Sequence, residues 1–403
     1  MLLNEHDKNM KTLVNLLIFL LLPIQALSAL EISGYVGVED LVFTQNPLDN
    51  RQHNNYVSGV IEPEIYHEWD DGTQNFAFVP FFRYSQHDSR RTHFDIRELN
   101  WMKIAESWEL RVGIREIFWG VTESQHLVNI INQTDLVENM DTEDKLGQPM
   151  INLALINDWG TLDLFILPGF RERTFPGVEG RMRILPIDID NARFEKNGFE
   201  RHMAYAFRWS QTLGDWDIGF SHFYGTNRDP LFLLDSDRAG NLRIIPFYEM
   251  VNQTGLDVQV TKDAWLWKLE AIFRSSKTFN YFASTFGFEY TFFNIRETGL
   301  DIGVLAEYLY DSRGRNIQTL FEDDFFVALR FALNDTQSTE ILAGIVLDRT
   351  TSAKFYNIEA SRRFGDSWKL EIEARFLAGI PKDDPAYMLR DDDHIRMELS
   401  YHF

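Results

Sequence analysis

The 403-residue sequence contains no cysteine. That excludes disulfide staples, thiolate metal sites and cysteine nucleophiles, and it suits a chain that works in an oxidising compartment. Basic residues are scarce beside acids: 39 Lys and Arg stand against 61 Asp and Glu, a formal charge of -22. A nucleic-acid partner is excluded on this ground, because phosphate binding needs a basic footprint. Beyond residue 29 no run approaches the ~18 consecutive apolar residues of a spanning helix. If the chain enters a membrane it must do so as strands, because only a closed barrel or a helix pairs every backbone group internally. The motifs G-x-S-x-G, H-E-x-x-H and S-x-x-K are absent, so no enzyme activity is expected. His126, His202 and His222 stand isolated in the sequence. The acidic clusters Asp235-Ser236-Asp237 with Gly240 and Asp391-Asp392-Asp393 lack the spaced calcium-loop pattern, so neither a metal nor a cofactor is expected.

What is present begins with an export signal. Lys8 and Lys11 precede the apolar run Leu13–Leu22, broken only by Asn15, and Pro23 leads to the small-residue stretch Ala26-Leu27-Ser28-Ala29. A basic region, a short apolar core and a small-residue end make a cleavable secretory signal over 1–29, with 30–403 as the mature domain.

From residue 30 the hydrophobic pattern has a period of two. Leu370, Ile372, Ala374 and Phe376 share one face and Lys369, Glu371, Glu373 and Arg375 the other; a strand sorts these sets and a helix scatters them. The same reading predicts strands at 30–43, 56–69, 74–86, 92–105, 108–118, 150–158, 160–168, 201–212, 215–225, 244–262, 264–275, 281–293, 298–311, 322–333, 339–349, 353–364, 367–378 and 391–403. Eighteen is an even number, as a single-chain bacterial barrel requires, with sixteen the nearest alternative count. Every second connection is short, for example Asp70-Asp71-Gly72, Gly214-Asp215 and Gly365-Asp366. The others, such as 119–149, 169–200, 226–243 and 379–390, are longer and polar. Six of the ten tryptophans (Trp69, Trp108, Trp159, Trp216, Trp265 and Trp368) fall at the short turns. That placement makes one aromatic girdle where hydrocarbon meets headgroups. The fold class is therefore an all-β, transmembrane, antiparallel up-and-down barrel.

The faces opposite the apolar rows carry ions at mid-strand: Arg97, Glu109, Arg111, Arg208, Asp257, Lys268, Glu270, Glu289, Glu307, Arg330, Glu359, Arg363, Glu371, Glu373, Arg375, Arg396 and Glu398. Each buried ion costs several kcal/mol in a dry core, so these candidates are expected to line a wet lumen.

In this architecture residues 30–403 resemble the bacterial outer-membrane porin superfamily. The most specific motif is the amphipathic end Leu399-Ser400-Tyr401-His402-Phe403, in which the resemblance makes Tyr401 and Phe403 the assembly signal read by the β-barrel assembly machinery. Phe118-Trp119-Gly120, followed by a long acidic loop and Gly147-Gln148-Pro149, is similar to alginate-export-type large porins. The lumen charges here are mixed rather than strongly basic, so no polyanion substrate is carried over. The resemblance also implies that the loop 120–149 folds inward. Its acids and neighbours Glu123, His126, Asp135, Glu138, Asp141, Glu143 and Asp144 would then form a constriction whose charge sets ion preference. Leu127, Val128, Ile130 and Ile131 suggest a helical face within it. An external, solvent-exposed lid is the alternative.

The function expected is passive diffusion of small hydrophilic solutes or ions across the outer membrane, amid lipid and lipopolysaccharide. A loop-closed surface-binding barrel and an outer-membrane hydrolase are the alternatives.

Overall fold

The computed structural model describes residues 30–183, 191–198, 203–236, 242–316 and 319–403. The export signal, His202, Asp237 and Gly240 lie outside the described residues. Eighteen strands form one sheet: β1 (Leu30–Phe43), β2 (Asn55–Trp69), β3 (Gln74–Ser85), β4 (His93–Ile104), β5 (Trp108–Arg115), β6 (Gln148–Asn157), β7 (Gly160–Pro168), β8 (Met203–Leu213), β9 (Trp216–Thr226), β10 (Met250–Lys262), β11 (Trp265–Ser275), β12 (Asn280–Phe292), β13 (Asp301–Asp311), β14 (Asp323–Ala332), β15 (Glu340–Asp348), β16 (Lys354–Phe364), β17 (Trp368–Ala378) and β18 (His394–His402). Each pairs antiparallel with its sequence neighbour. β1 also pairs with β18, from Tyr35 opposite His402 to Phe43 opposite His394, which closes the barrel and leaves no edge.

The alternation in sequence becomes an alternation in space. On β14, Phe325, Val327 and Leu329 are 45%, 42% and 42% exposed on the outside, while Phe326 and Ala328 between them are buried. The short turns sit at one end. Several use residues that tolerate positive φ: Asp70 and Asp71 (58° and 53°), Asp263 (55°) and Gly214 (62°). All six girdle tryptophans lie at this end, and three of them pack on neighbouring rings: Trp69 on His67 at 5.5 Å, Trp265 on Tyr290 at 4.6 Å and Trp368 on Tyr401 at 5.1 Å. Gly34 is required where it stands. Its φ is 135°, and a Cβ there would come within 2.6 Å of the Pro63 backbone across the β1–β2 pair.

Most strand limits differ from the sequence reading by one to three residues, and two differences have a visible cause. The segment 244–262 is not one strand. β10 starts at Met250, and Leu242–Tyr248 instead pairs with Leu231–Ser236 and, through Phe247 and Tyr248, with Arg193–Phe194 in a small sheet at the long-loop end. Pro246 cannot donate to a barrel ladder, and Glu249 turns aside to accept from Ser276 and Thr278. Ile244, Ile245 and Phe247 keep the apolar character through the break. Similarly, 108–118 ends at Arg115, because Asn132 accepts from Ile117 N (2.9 Å) and donates to Arg115 O (2.8 Å), turning the chain inward.

Candidate functional site

The long connection between β5 and β6 crosses the barrel interior. No helix forms in it among the described residues, in contrast to the helical face expected from Leu127, Val128, Ile130 and Ile131. The reason lies in the wall. Glu270 on β11 accepts from Val121 N (2.7 Å), Thr122 N (3.0 Å), Thr122 Oγ1 (2.8 Å) and Val128 N (3.0 Å). Glu307 on β13 accepts from Glu123 N (2.8 Å), Ser124 N (2.9 Å) and Ser124 Oγ (2.6 Å). Backbone donors that a helix would have paired internally are paired to strand carboxylates instead, so these amides stay satisfied along an irregular path. Trp119, Val128, Ile130 and Ile131 then pack beside Phe165, Leu167, Phe223 and Ile272. Gly255 leaves room for this contact, since a Cβ there would stand 3.3 Å from Val128 Cγ1.

The second half of the loop is held on the other side. Asp135 takes Arg97 of β4 at 3.1 Å and Thr174 at 2.7 Å. Glu138 takes Arg83 of β3 at 2.8 Å. Arg91 donates to Val137 O and Glu138 O (3.0 Å each) and to the fully buried Glu39. Glu39 also receives Arg83 (3.2 Å) and Arg396 (2.8 Å). Arg396 reaches Glu398 at 2.9 Å, and Arg375 of β17 pairs with both Asp141 (2.8 Å) and Glu373 (2.7 Å). The loop therefore bridges from β11 and β13 to β3, β4 and β17.

The remaining sequence candidates are distributed around the wall. Glu123 meets Arg330 at 2.8 Å and Lys268 at 3.5 Å, and Arg330 also meets Glu289 at 3.3 Å. Arg208 and Asp257 form a two-bond fork at 2.5 and 2.7 Å. Glu109 pairs with Arg111 along β5, and Glu371 with Lys369 at 2.7 Å. Glu359 accepts from Asn357 at 2.8 Å, while Arg363 is exposed near the short turns and away from the loop. Tyr401 and Phe403 lie at the short-turn end, where Phe403 N donates to Gly34 O at 3.0 Å. His222 bonds Thr254 at 2.9 Å, and Asp392 takes Arg181 at 2.8 Å. The described part of the acidic clusters is thus engaged in structure, and no metal-type grouping occurs among the described residues.

Sequence reasoning did not single out Glu39, Arg83, Arg91, Glu62 or Glu116. Glu39 is followed by Asp40, which obscures the alternation, and Arg91 lies in a connection that carries no period at all.

Beside the inserted loop the barrel interior holds two cavities of about 1230 and 500 Å3. The larger lies toward the long loops and the smaller toward the short turns. Four residues, Glu143, Asp144, Glu371 and Arg396, line both and mark the neck between them. Within the loop, burial would push the His126 imidazole down, but Glu143 (2.9 Å) and Glu270 (3.8 Å) outweigh it and hold it up at about 9. Asp144 is pushed up to about 7 by burial and by Asp141 and Glu138, against the opposing pull of Arg396 and Arg97. Its carboxyl gains its proton as pH falls through 7, so the neck loses one negative charge between pH 8 and pH 6 while His126 stays cationic throughout. In a conducting pore the K+/Cl- permeability ratio should therefore fall over that window, and Asp144→Asn should flatten the change. Reversal potentials in a salt gradient measure it; an identical pH profile in the variant would remove Asp144 from the neck.

Eighteen antiparallel strands closed on themselves, with an apolar exterior and a charged interior crossed by a loop, define the class as a porin-type barrel in fold. No protein-family model matches the chain, and no curated protein matches it in sequence. Solved structures do match. Pseudomonas aeruginosa OccK3 (OpdO) is similar at TM-score 0.52 and 9% identity, covering 93% of this chain and 96% of that one. P. aeruginosa OccK11 (OpdR) gives TM-score 0.53 at 9% identity over 92% and 96%. A BenF-like porin from Pseudomonas fluorescens Pf-5 gives 0.52 at 10% over 93% and 98%. At these identities the likeness is one of fold.

Proposed function

We propose that this protein is a porin-like channel of the bacterial outer membrane, through which small hydrophilic solutes or ions diffuse passively. The observation that carries the reading is the lumen. The loop crosses it without filling it, and the two cavities share the neck at Glu143, Asp144, Glu371 and Arg396. In this reading the apolar exterior meets lipid and lipopolysaccharide. The tryptophan end faces the periplasm, and the signal over 1–29 is removed after Ala29. The ions of the loop and wall set selectivity. The mixture of acids and bases at the neck gives no support to a polyanion substrate of the alginate type. Single-channel recording in planar bilayers tests the function. Unitary, ohmic steps in KCl are expected from a protein whose mass spectrum begins at or within a residue or two of Leu30. A folded, inserted barrel that gives no steps would leave the loop-closed binding reading in its place.

Assembly rests on the C-terminus in the same reading. Phe403 is exposed at the short-turn end beside the Trp368–Tyr401 pair, so its loss removes little buried contact. Deleting it should nevertheless lower the amount of heat-modifiable barrel in the outer membrane by more than it lowers refolding yield in detergent. Equal losses in the two assays would count against a recognition role.

A further inference from the structure

The lumen is not polar all round. On β14, β15 and β16 the inward residues Phe326, Val346 and Phe355 stand in one cross-strand row, Phe326 opposite Val346 and Val346 opposite Phe355. Together with Leu342, Phe326 and Val346 are buried beneath Phe355 and Phe321, whose half-buried rings meet edge-on at 5.4 Å and present the apolar surface to the larger cavity. A wholly hydrophilic solute gains nothing from such a wall, because apolar area facing water is stabilised only when something apolar covers it.

The wall ends at a carboxylate. Glu359 lies directly opposite Leu342, is exposed to the lumen, and accepts a hydrogen bond from Asn357. Its other cross-strand neighbour is Glu373, so no cation stands opposite it in the ladder. The guanidinium groups of Arg330, Arg375 and Arg396 on the same cavity are already held by carboxylates at 2.7–2.8 Å. Among the described residues the cavity is lined by eleven Asp and Glu against seven Lys and Arg. Glu359 thus stands beside the apolar surface without a salt bridge among the described residues, on a cavity whose lining carries more acids than bases.

We propose that the larger cavity contains a transit site for amphipathic organic cations. The apolar body lies on Phe355 and Phe321, and the ammonium group sits at Glu359. This rests on the channel reading above. An anion of the same shape meets Glu359 with like charge on a predominantly acidic lining, so charge complementarity disfavours it.

The test is current block of the full mature chain in planar bilayers, in KCl, with benzyltrimethylammonium, tetramethylammonium and benzenesulfonate as probes. Benzyltrimethylammonium should block in a concentration-dependent way. Tetramethylammonium, with no apolar body, should block more weakly, and benzenesulfonate should not block. Glu359→Gln should weaken the benzyltrimethylammonium block about tenfold, the scale of one partly solvated charge pair. Phe355→Ala should bring the two cations close together, and Phe321→Ala serves if that variant does not fold. Block by benzenesulfonate equal to that by benzyltrimethylammonium, or unchanged block in Glu359→Gln, overturns the site. A pore that conducts KCl but is blocked by none of the three overturns the site and leaves the channel. An inserted barrel without steps overturns both.

Discussion

Glu270→Ala should release the first half of the inserted loop and enlarge the pore. One carboxylate accepts four hydrogen bonds there, three of them from backbone N–H groups that have no helix to return to. Each buried donor left without an acceptor costs about 1–3 kcal/mol, so the docked path of 121–128 is destabilised severalfold more than a typical surface change would manage. The barrel itself should persist, because its ladders do not pass through Glu270's side chain. Val128, Ile130 and Ile131 keep their apolar contacts, so the release is local and the second half stays held at Arg97, Arg83 and Arg375. The expected readings are faster hydrogen exchange confined to the 121–128 amides and a larger, noisier unitary conductance. Glu270→Gln should fall between, since it keeps the shape and one acceptor oxygen but loses the charge. Unchanged exchange in Glu270→Ala would show that apolar packing alone holds the loop.

The second large effect concerns the wall and uses a pair of sequence neighbours. Leu329 is 42% exposed on the outer face of β14, whereas Arg330 turns inward to Glu123 and Glu289. Leu329→Arg places a cation against hydrocarbon, at a cost of about 2–4 kcal/mol near the midplane and less toward the interfaces. Arg330→Leu removes the arginine from Glu289 and from Glu123, which keeps Lys268 at 3.5 Å, but puts no charge in lipid. The folded fraction in lipid should therefore drop for Leu329→Arg and hold for Arg330→Leu. The reversal potential should move toward cations only in Arg330→Leu. The opposite pattern would mean that the facing of β14 is inverted, because a register error of one residue exchanges every side chain between faces.

The His126 contact shows how charge and loop position are coupled. Its imidazole is held up at about 9 although an unfolded chain would leave it near 6.5. The stabilisation it lends to the docked loop is full below about 6.5 and is lost as pH rises through 9. It adds to the Glu270 hydrogen bonds in the same segment, so alkaline solution and Glu270→Ala act on one structural element.

Much of the barrel was legible residue by residue. The strands at 30–43 and 160–168 coincide with the ranges read from alternation, and most of the others differ at an end by a residue or two. Period-two patterning needs no knowledge of a partner strand: a side chain's face follows from its position in the pleat, and Asp and Gly at positive φ mark the turns locally. The six tryptophans at one end follow from the same local alternation of strand and turn. The pattern failed where local character and global pairing part company. Residues 242–248 are as apolar as a barrel strand, yet Pro246 and the pull of Leu231–Ser236 take them into a separate sheet.

The route of the inserted loop was open in the sequence between an inward constriction and an outer lid, and only the tertiary structure decided it. Glu270 lies 142–149 positions from the amides it accepts, Glu307 about 184 from Glu123 N, and Glu39 357 from Arg396. No local period reports such pairings. A strand chooses its face from its own alternation, but a loop with many polar groups goes where distant strands supply the acceptors and counter-charges that water would otherwise provide.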